Sequence, residues 1–444
     1  MVSTQNDSVR AAQAETCDVL ILGGGPAGST AAALLAERGR DVVIVEKEQH
    51  PRFHIGESLL PLNLPLFDRL GLRDKIEAIG MTKYGAELVS PRHTTPVTLD
   101  FSGAWDKAHP YAYQVRRSQF DQVLFENCIE KGARALQECR VTSVTFRPER
   151  VRVSARDANG TAREWDAKFL IDASGRDTFL ANHFGIKHRN RKHSTAALFG
   201  HFEGARRLPG RDEGNISILW FDHGWFWFIP LRDGTTSVGA VCNPEYMKTR
   251  RSDPATFFHD TIALCPALVE RLRDARLVNE VTATGNYSYQ AEHMVGERYI
   301  MVGDAFAFVD PVFSSGVLLG MNSAFLGAEA VDAWLRDPRA AAPAMRRFDR
   351  SVRHGIRNFS WFIYRMNGPG IRALFMRPSN RLRMREAVLS LLAGDLFRGT
   401  PIYGSLNAFK AIYYVASLAT LRASLAAWRQ RRRAAQRISA EARA

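Results

Sequence analysis

Asp18–Glu46, DVLILGGGPAGSTAAALLAERGRDVVIVE, is the stretch on which the fold turns. Asp18–Leu22 is a short run of branched apolar residues without polar alternation, the pattern of a strand buried on both faces of a parallel sheet. It runs directly into Gly23-Gly24-Gly25-Pro26-Ala27-Gly28. The alanine- and leucine-rich stretch Ser29–Arg38 predicts a helix ended by Gly39, and Asp41–Val45 predicts a second buried strand closing on Glu46. Together they make one βαβ unit. Gly23, Gly25 and Gly28 stand in GxGxxG spacing, which permits a tight turn, close approach of a pyrophosphate and close strand–helix packing. The helix start, with Ala27 beside the glycines, turns its amides toward phosphate charge. Glu46, eighteen residues after Gly28 at the tip of the second strand, is placed to bind ribose hydroxyls. Strand, glycine turn, helix and carboxylate together predict a dinucleotide site.

Outward from this unit, 444 residues with 45% apolar content suffice for a large core. No run of 18 uncharged apolar residues occurs; AIYYVASLATL is only eleven residues between Lys410 and Arg422. MVSTQNDSVRAAQAETC lacks the order of a secretory signal, and a cytoplasmic protein is expected. Cys17, Cys128, Cys139, Cys242 and Cys265 are scattered without ligand spacing, so no metal site or disulfide framework is expected. The net charge is +14, and the segment from Arg422 onward carries seven arginines against one glutamate. With charge as its only support, a nucleic-acid partner is not expected. The arginines read as a solvated helix end, with an acidic protein or an anionic membrane surface as the sharper alternatives.

Val141–Phe146 and Val151–Ala155 predict a hairpin, and Phe169–Asp172 another buried strand ending in Ala173-Ser174-Gly175. Between about 195 and 290 the stretches NISILWF, GWFWFIPL and TSVGAV are aromatic-rich and predict a largely antiparallel sheet. Arg298–Gly303 returns to a parallel-type strand, and the chain reads as helical from about 320. The organisation expected is α/β: a discontinuous nucleotide-binding domain (16–190 and 285–345), an inserted substrate-side antiparallel sheet (191–284), and a C-terminal helical region with a basic tail (346–444).

Further motifs narrow the reading. Gly303-Asp304-Ala305 after RYIMV resembles the second fingerprint of FAD-dependent aromatic hydroxylases and halogenases; Ile171–Gly175 resembles their middle fingerprint; Arg117 in VRRSQFDQVL matches the arginine that begins their helix beside the flavin. Four stretches resemble the flavin-dependent halogenases in particular, in the branch acting on pyrrole or phenol rings, including rings tethered to carrier proteins. His54-Ile55-Gly56-Glu57-Ser58 resembles the HxGES segment, Thr82-Lys83-Tyr84-Gly85-Ala86 the lysine loop, Trp225–Pro230 (WFWFIP) the WxWxIP signature, and Asp310–Gly316 (DPVFSSG) the halide loop. The resemblance spans about Asp18 to Phe397. It implies a GR2-type FAD-binding fold of the aromatic-hydroxylase kind, with the inserted mostly antiparallel sheet and the C-terminal helical region.

It also implies roles. FAD, used as FADH2, is held by Gly23, Gly25, Ala27, Gly28, Glu46, Glu57, Ser58, Arg117, Asp304 and Gly316. A chloride or bromide ion sits on backbone amides at Ser315 and Gly316, and with dioxygen becomes hypohalous acid. Lys83 directs that oxidant by a hydrogen bond or as a haloamine. Trp225, Trp227 and Phe313 wall the active site. Taken alone, Lys83 reads as a surface lysine, DPVFSSG as a turn with a helix cap, and the tryptophans as one face of a core strand. Phe313 stands where tryptophan halogenases carry a glutamate, which argues against free tryptophan as substrate. The implied partners are a separate NAD(P)H-dependent flavin reductase and an aromatic substrate, free or on an acyl carrier protein. An aromatic monooxygenase or prenyl reductase of the same fold, and a non-catalytic flavin-binding docking protein, are the rival readings; WFWFIP and Lys83 favour the halogenase.

Overall fold

The computed structural model describes residues 14–190, 195–285, 288–397 and 399–419, with 421, 425 and 429. The arginine-rich end, apart from Leu425 and Arg429, lies outside the described residues.

The opening unit is β1 (Glu15–Leu22), α1 (Pro26–Ala36) and β2 (Val42–Val45). α1 starts three residues earlier than its alanine run suggests. Pro26 at its first position supplies a pre-set φ and lacks only an N–H that the first turn leaves unpaired anyway. β1 is the middle of a parallel ladder: Leu22 pairs with Val45 on one side and with Asp172 of the strand Ala162–Asp172 on the other, and Asp172 in turn pairs with Met301 of Tyr299–Met301. Four parallel strands therefore end in register. The glycine turn, Glu46, Ala173-Ser174-Gly175 and Gly303-Asp304 all leave the sheet at one edge, where ligands of open α/β sheets bind. The expected hairpin is present as Arg140–Phe146 and Val151–Arg156.

The second sheet runs, in spatial order, through Arg276–Leu277, Ala196–Glu203, Thr236–Cys242, Gly224–Pro230, Ile216–Phe221, Gly85–Val89 and Val97–Asp100. Every neighbour is antiparallel except Ile216–Phe221 with Gly85–Val89. The sheet is thus not confined to 191–284, since residues 85–100 from the earlier segment complete its edge. Gly85 allows this: a Cβ there would lie 2.3 Å from the Leu99 carbonyl oxygen.

Period-two alternation divides the sheet's two faces. Ile216, Ile218, Trp220, Trp225, Trp227 and Ile229 join the core shared with the nucleotide-binding sheet. Leu219, Phe221, Phe226 and Phe228 join a separate core under the helices Pro254–Ala263 and Pro266–Arg271. After the long helix Gly316–Arg336 come Ala342–Ile363, Pro369–Met376, Met384–Leu392 and Ile402–Ala419. All five cysteines are free and buried. Among the described residues no helix is long and apolar enough to cross a membrane.

Candidate active site

One cleft collects most of the residues singled out in the sequence: Gly23, Gly25, Ala27, Glu46, Glu57, Ser58, Arg117, Trp225, Trp227, Asp304, Ser315 and Gly316 all line it. Gly28, Lys83 and Phe313 do not. Gly28 acts from behind. A Cβ there would stand 1.9 Å from the carbonyl oxygen of Gly23, itself at φ +99°, so strand and helix can meet this closely only without side chains. Ala27 sits where α1 approaches Gly303 and Gly320.

Glu46 is buried at the tip of the second strand. One carboxylate oxygen accepts the Gly24 N–H at 2.6 Å and the other the Glu48 N–H at 3.0 Å, so the carboxylate ties the glycine turn to the second strand. Arg52, which sequence reading passed over, lies 3.5 Å from Glu46 and 3.2 Å from Asp121. Arg117 starts the helix Arg117–Glu130; it grips Asp121 through two bonds of 2.8 and 3.0 Å and donates to the Ile55 carbonyl at 2.7 Å. Burial alone would raise the Asp121 carboxyl, but Arg117 and then Arg52 hold it below its usual value. The bond to Ile55 fastens the His54–Ser58 loop beside the cleft, and the ion pairs hold Arg117 in place for it. Burial, then Arg117, pushes the His54 imidazole down to about 4, so it is neutral. Asp304 is partly exposed to the cleft, and burial raises its carboxyl to about 6 against the pull of Arg117 and Arg176. Asp172 is fully buried and caps the turn behind the cleft by accepting from the Ser174 and Leu180 amides.

A basic, glycine-lined end, a carboxylate at the second strand tip and a half-buried aspartate farther along could hold the diphosphate, ribose and ribityl parts of FAD. The far end meets the Asp310–Gly316 loop. Ser314 adopts φ +56°, a conformation rare outside glycine, Ser315 is buried, and Gly316 begins the helix of 21 residues. A Cβ on Gly316 would have no atom within 4 Å, so the space beside the first residue of the helix is open. Asp310 is held by Thr195 Oγ1 at 2.9 Å, and burial raises its carboxyl to about 6.

Lys83 is 1% exposed. It ends the strand Met81–Lys83, and its Nζ donates to Ser58 Oγ at 2.8 Å and to the Leu59 carbonyl at 3.0 Å, 5.4 Å from the Phe101 ring centre. Burial pushes its ammonium down to about 7. Ser58 thus touches the lysine from a loop that also lines the cleft. Trp225 and Trp227 stand side by side with ring centres 6.1 Å apart, and Trp227 Nε1 donates to Ser237 Oγ at 3.1 Å. Phe313, which does not line the cleft, is buried in the same core as the two tryptophans and packs toward Phe375, with ring centres 6.3 Å apart. Glu57 points away from Ser58 and meets His201 Nε2 at 3.0 Å, both side chains buried. His201 was not legible in the sequence, because its partner lies 144 residues away.

Residues 16–341 match the family model of the FAD binding domain. The flavin-dependent halogenase gsfI of Penicillium aethiopicum is 32% identical over 369 residues, 77% of this chain and 69% of that protein. The chain belongs to the flavin-dependent halogenases. As a halogenase it is an oxidoreductase that uses FAD and halide. Its relatives include a 1H-pyrrole-2-carbonyl-[peptidyl-carrier protein] chlorinase of Pseudomonas fluorescens, 29% identical over 409 residues (86% of this chain, 90% of that protein). A tryptophan 2-halogenase of Chondromyces crocatus is 34% identical over 326 residues (70% and 60%). The myxobacterial chondrochloren halogenase CndH superposes with a TM-score of 0.77 at 33% identity, over 92% of this halogenase and 97% of that chain.

Proposed function

We propose that this halogenase passes hypohalous acid from the flavin cleft to Lys83, which delivers the halogen to an electron-rich ring of pyrrole, phenol or indole type, free or tethered to a carrier protein. The observation that carries the reading is the sealed ammonium of Lys83 held by Ser58, a residue that also lines the cleft.

When bound, reduced FAD supplies, with dioxygen and halide, the electrophilic halogen. The chain's own residues do the rest. Gly23, Gly25, Ala27 and Gly28 receive the diphosphate, with Glu46 at the ribose and Asp304 at the ribityl chain; Arg117, Glu57 and Ser58 hold the loop over the flavin. Ser315 and Gly316 offer first-turn amides to chloride or bromide without a charged side chain. Trp225 and Trp227, which line the cleft, exclude the ring from direct oxidation in this reading. With a pKa of about 7, Lys83 is available near neutrality both as a hydrogen-bond donor and as a nucleophilic amine. A separate flavin reductase supplies FADH2 in this reading. The pyrrole-carrier chlorinase among the relatives supports a tethered substrate, whereas the tryptophan 2-halogenase keeps indoles within the class.

The test is mass spectrometry of small aromatic substrates, free and carrier-bound, incubated with protein, FAD, a flavin reductase, NADH, oxygen and chloride or bromide. A halogen isotope pattern that disappears in Lys83→Ala, with FAD still bound, is expected. Normal halogenation by Lys83→Ala sinks the lysine mechanism, and oxygen insertion without halogen moves the protein to the hydroxylases.

A further inference from the structure

Met81–Lys83 pairs antiparallel with Ala112–Gln114, placing Met81 opposite Gln114 and Lys83 opposite Ala112. Residues facing each other across an antiparallel ladder, and those two apart along a strand, point to the same side. Gln114 and Lys83 therefore share a face. On the other edge of Gln114 lies Ser58, joined by an antiparallel bridge whose flanking bonds run from Leu59 N to the Tyr113 carbonyl and from Val115 N to the Glu57 carbonyl. That is the narrow, non-hydrogen-bonded kind of pair, in which side chains stand closest. Ser58, Gln114 and Lys83 thus share one face, on which Lys83 and Ser58 are hydrogen-bonded.

Gln114 is fully buried. Its Nε2 donates to the Gly214 carbonyl at 3.0 Å, which fixes the amide plane and leaves Oε1 as a buried acceptor with no partner among the described residues. A buried acceptor left without a protein partner is commonly met by a water, an ion or a reacting molecule. Protonated Lys83 carries three N–H bonds, two of them directed at Ser58 Oγ and the Leu59 carbonyl, so one donor is also left over.

We propose that Gln114 Oε1 and the remaining Lys83 N–H bind hypohalous acid between them, making Gln114 a positioning residue of the halogen-transfer site. The inference rests on the Lys83 reading above and deepens it. The oxygen of the oxidant accepts from Lys83, its O–H donates to Gln114 Oε1, and the halogen is left as the atom free to face the ring. A single small molecule that both donates and accepts matches one spare donor and one spare acceptor. No bond is made or broken in this step.

The experiment uses the full chain with FAD, a flavin reductase and halide, and measures ring product against halogenated taurine, taurine being a freely diffusing trap for hypohalous acid. Gln114→Leu, with FAD absorbance as a check on folding, should raise the trapped share relative to product by roughly tenfold, the scale of one lost hydrogen bond. A companion variant needs no turnover: Gln114→Glu places a carboxylate on the shared face, and the pH midpoint for acylation of Lys83, followed by peptide mass spectrometry, should rise by about one unit or more. An unchanged trapped share in Gln114→Leu together with an unchanged midpoint in Gln114→Glu overturns the inference. If Lys83→Ala itself makes normal product, the reading beneath fails instead.

Discussion

An ammonium group sealed beneath the loop of a cleft carries a cost that depends on pH. Burial lowers the folded-state pKa of Lys83 from 10.5 to about 7, so between those values the unfolded chain binds a proton that the folded one does not. Stability therefore rises with pH from about 7 to 10.5, and the full cost is present below 7. Lys83→Met, which removes the titration, should gain more stability over the parent at pH 6 than at pH 9.5 in urea denaturation; an equal gain at both would mean that the lysine is not desolvated. The same residue shows what sequence can and cannot say. TKYGA identified Lys83 by resemblance, whereas its charge and composition pointed to the surface. Its burial comes from Phe101, Ser58 and Leu59, which are distant neighbours in the chain.

Among elements, the opening βαβ unit was the most legible, because its two unbroken apolar runs, the glycine spacing and the terminal carboxylate all lie within Asp18–Glu46. Gly28→Val sets a branched side chain where even a Cβ meets the Gly23 carbonyl oxygen at 1.9 Å; the purified protein should lack flavin absorbance while the remaining strands still form. Retention of FAD at parental affinity would show that the turn can shift. The tryptophan strand offers a second case. Trp227 lies over Gly239 of the adjacent strand, where a Cβ would be 2.1 Å from the indole. Gly239→Ala should displace that ring and cost on the order of 2 kcal/mol in chemical denaturation. WFWFIP revealed which residues share a face but not that a glycine across the ladder makes room for the indole.

Across the whole molecule, the buried Glu57–His201 contact joins the loop over the cleft to the second sheet. His201→Leu leaves a buried carboxylate without this partner, and a loss of about 3 kcal/mol in thermal or urea unfolding, with weaker FAD retention, is expected. A change below about 0.5 kcal/mol would show that Glu57 finds another donor, since that is the range of surface substitutions. The second sheet also explains why the domain limits drawn from sequence were incomplete. Its aromatic strands announce themselves between 195 and 290, but Gly85–Val89 and Val97–Asp100 were not read as strands, and their place is set only when Ile216–Phe221 pairs with the first of them.

From the sequence alone came the nucleotide-binding unit, the in-order fingerprints and the family resemblance, because each is written in residues close together and governed by local periodicity and turn geometry. Tertiary structure alone decided that Lys83 is sealed rather than solvated, that Phe313 packs toward Phe375, that Glu46 holds the glycine turn, and that Glu57 meets His201. These depend on which surfaces face each other after the chain has folded back on itself. Desolvation, pairing and orientation are properties of that juxtaposition and leave no spacing in the sequence.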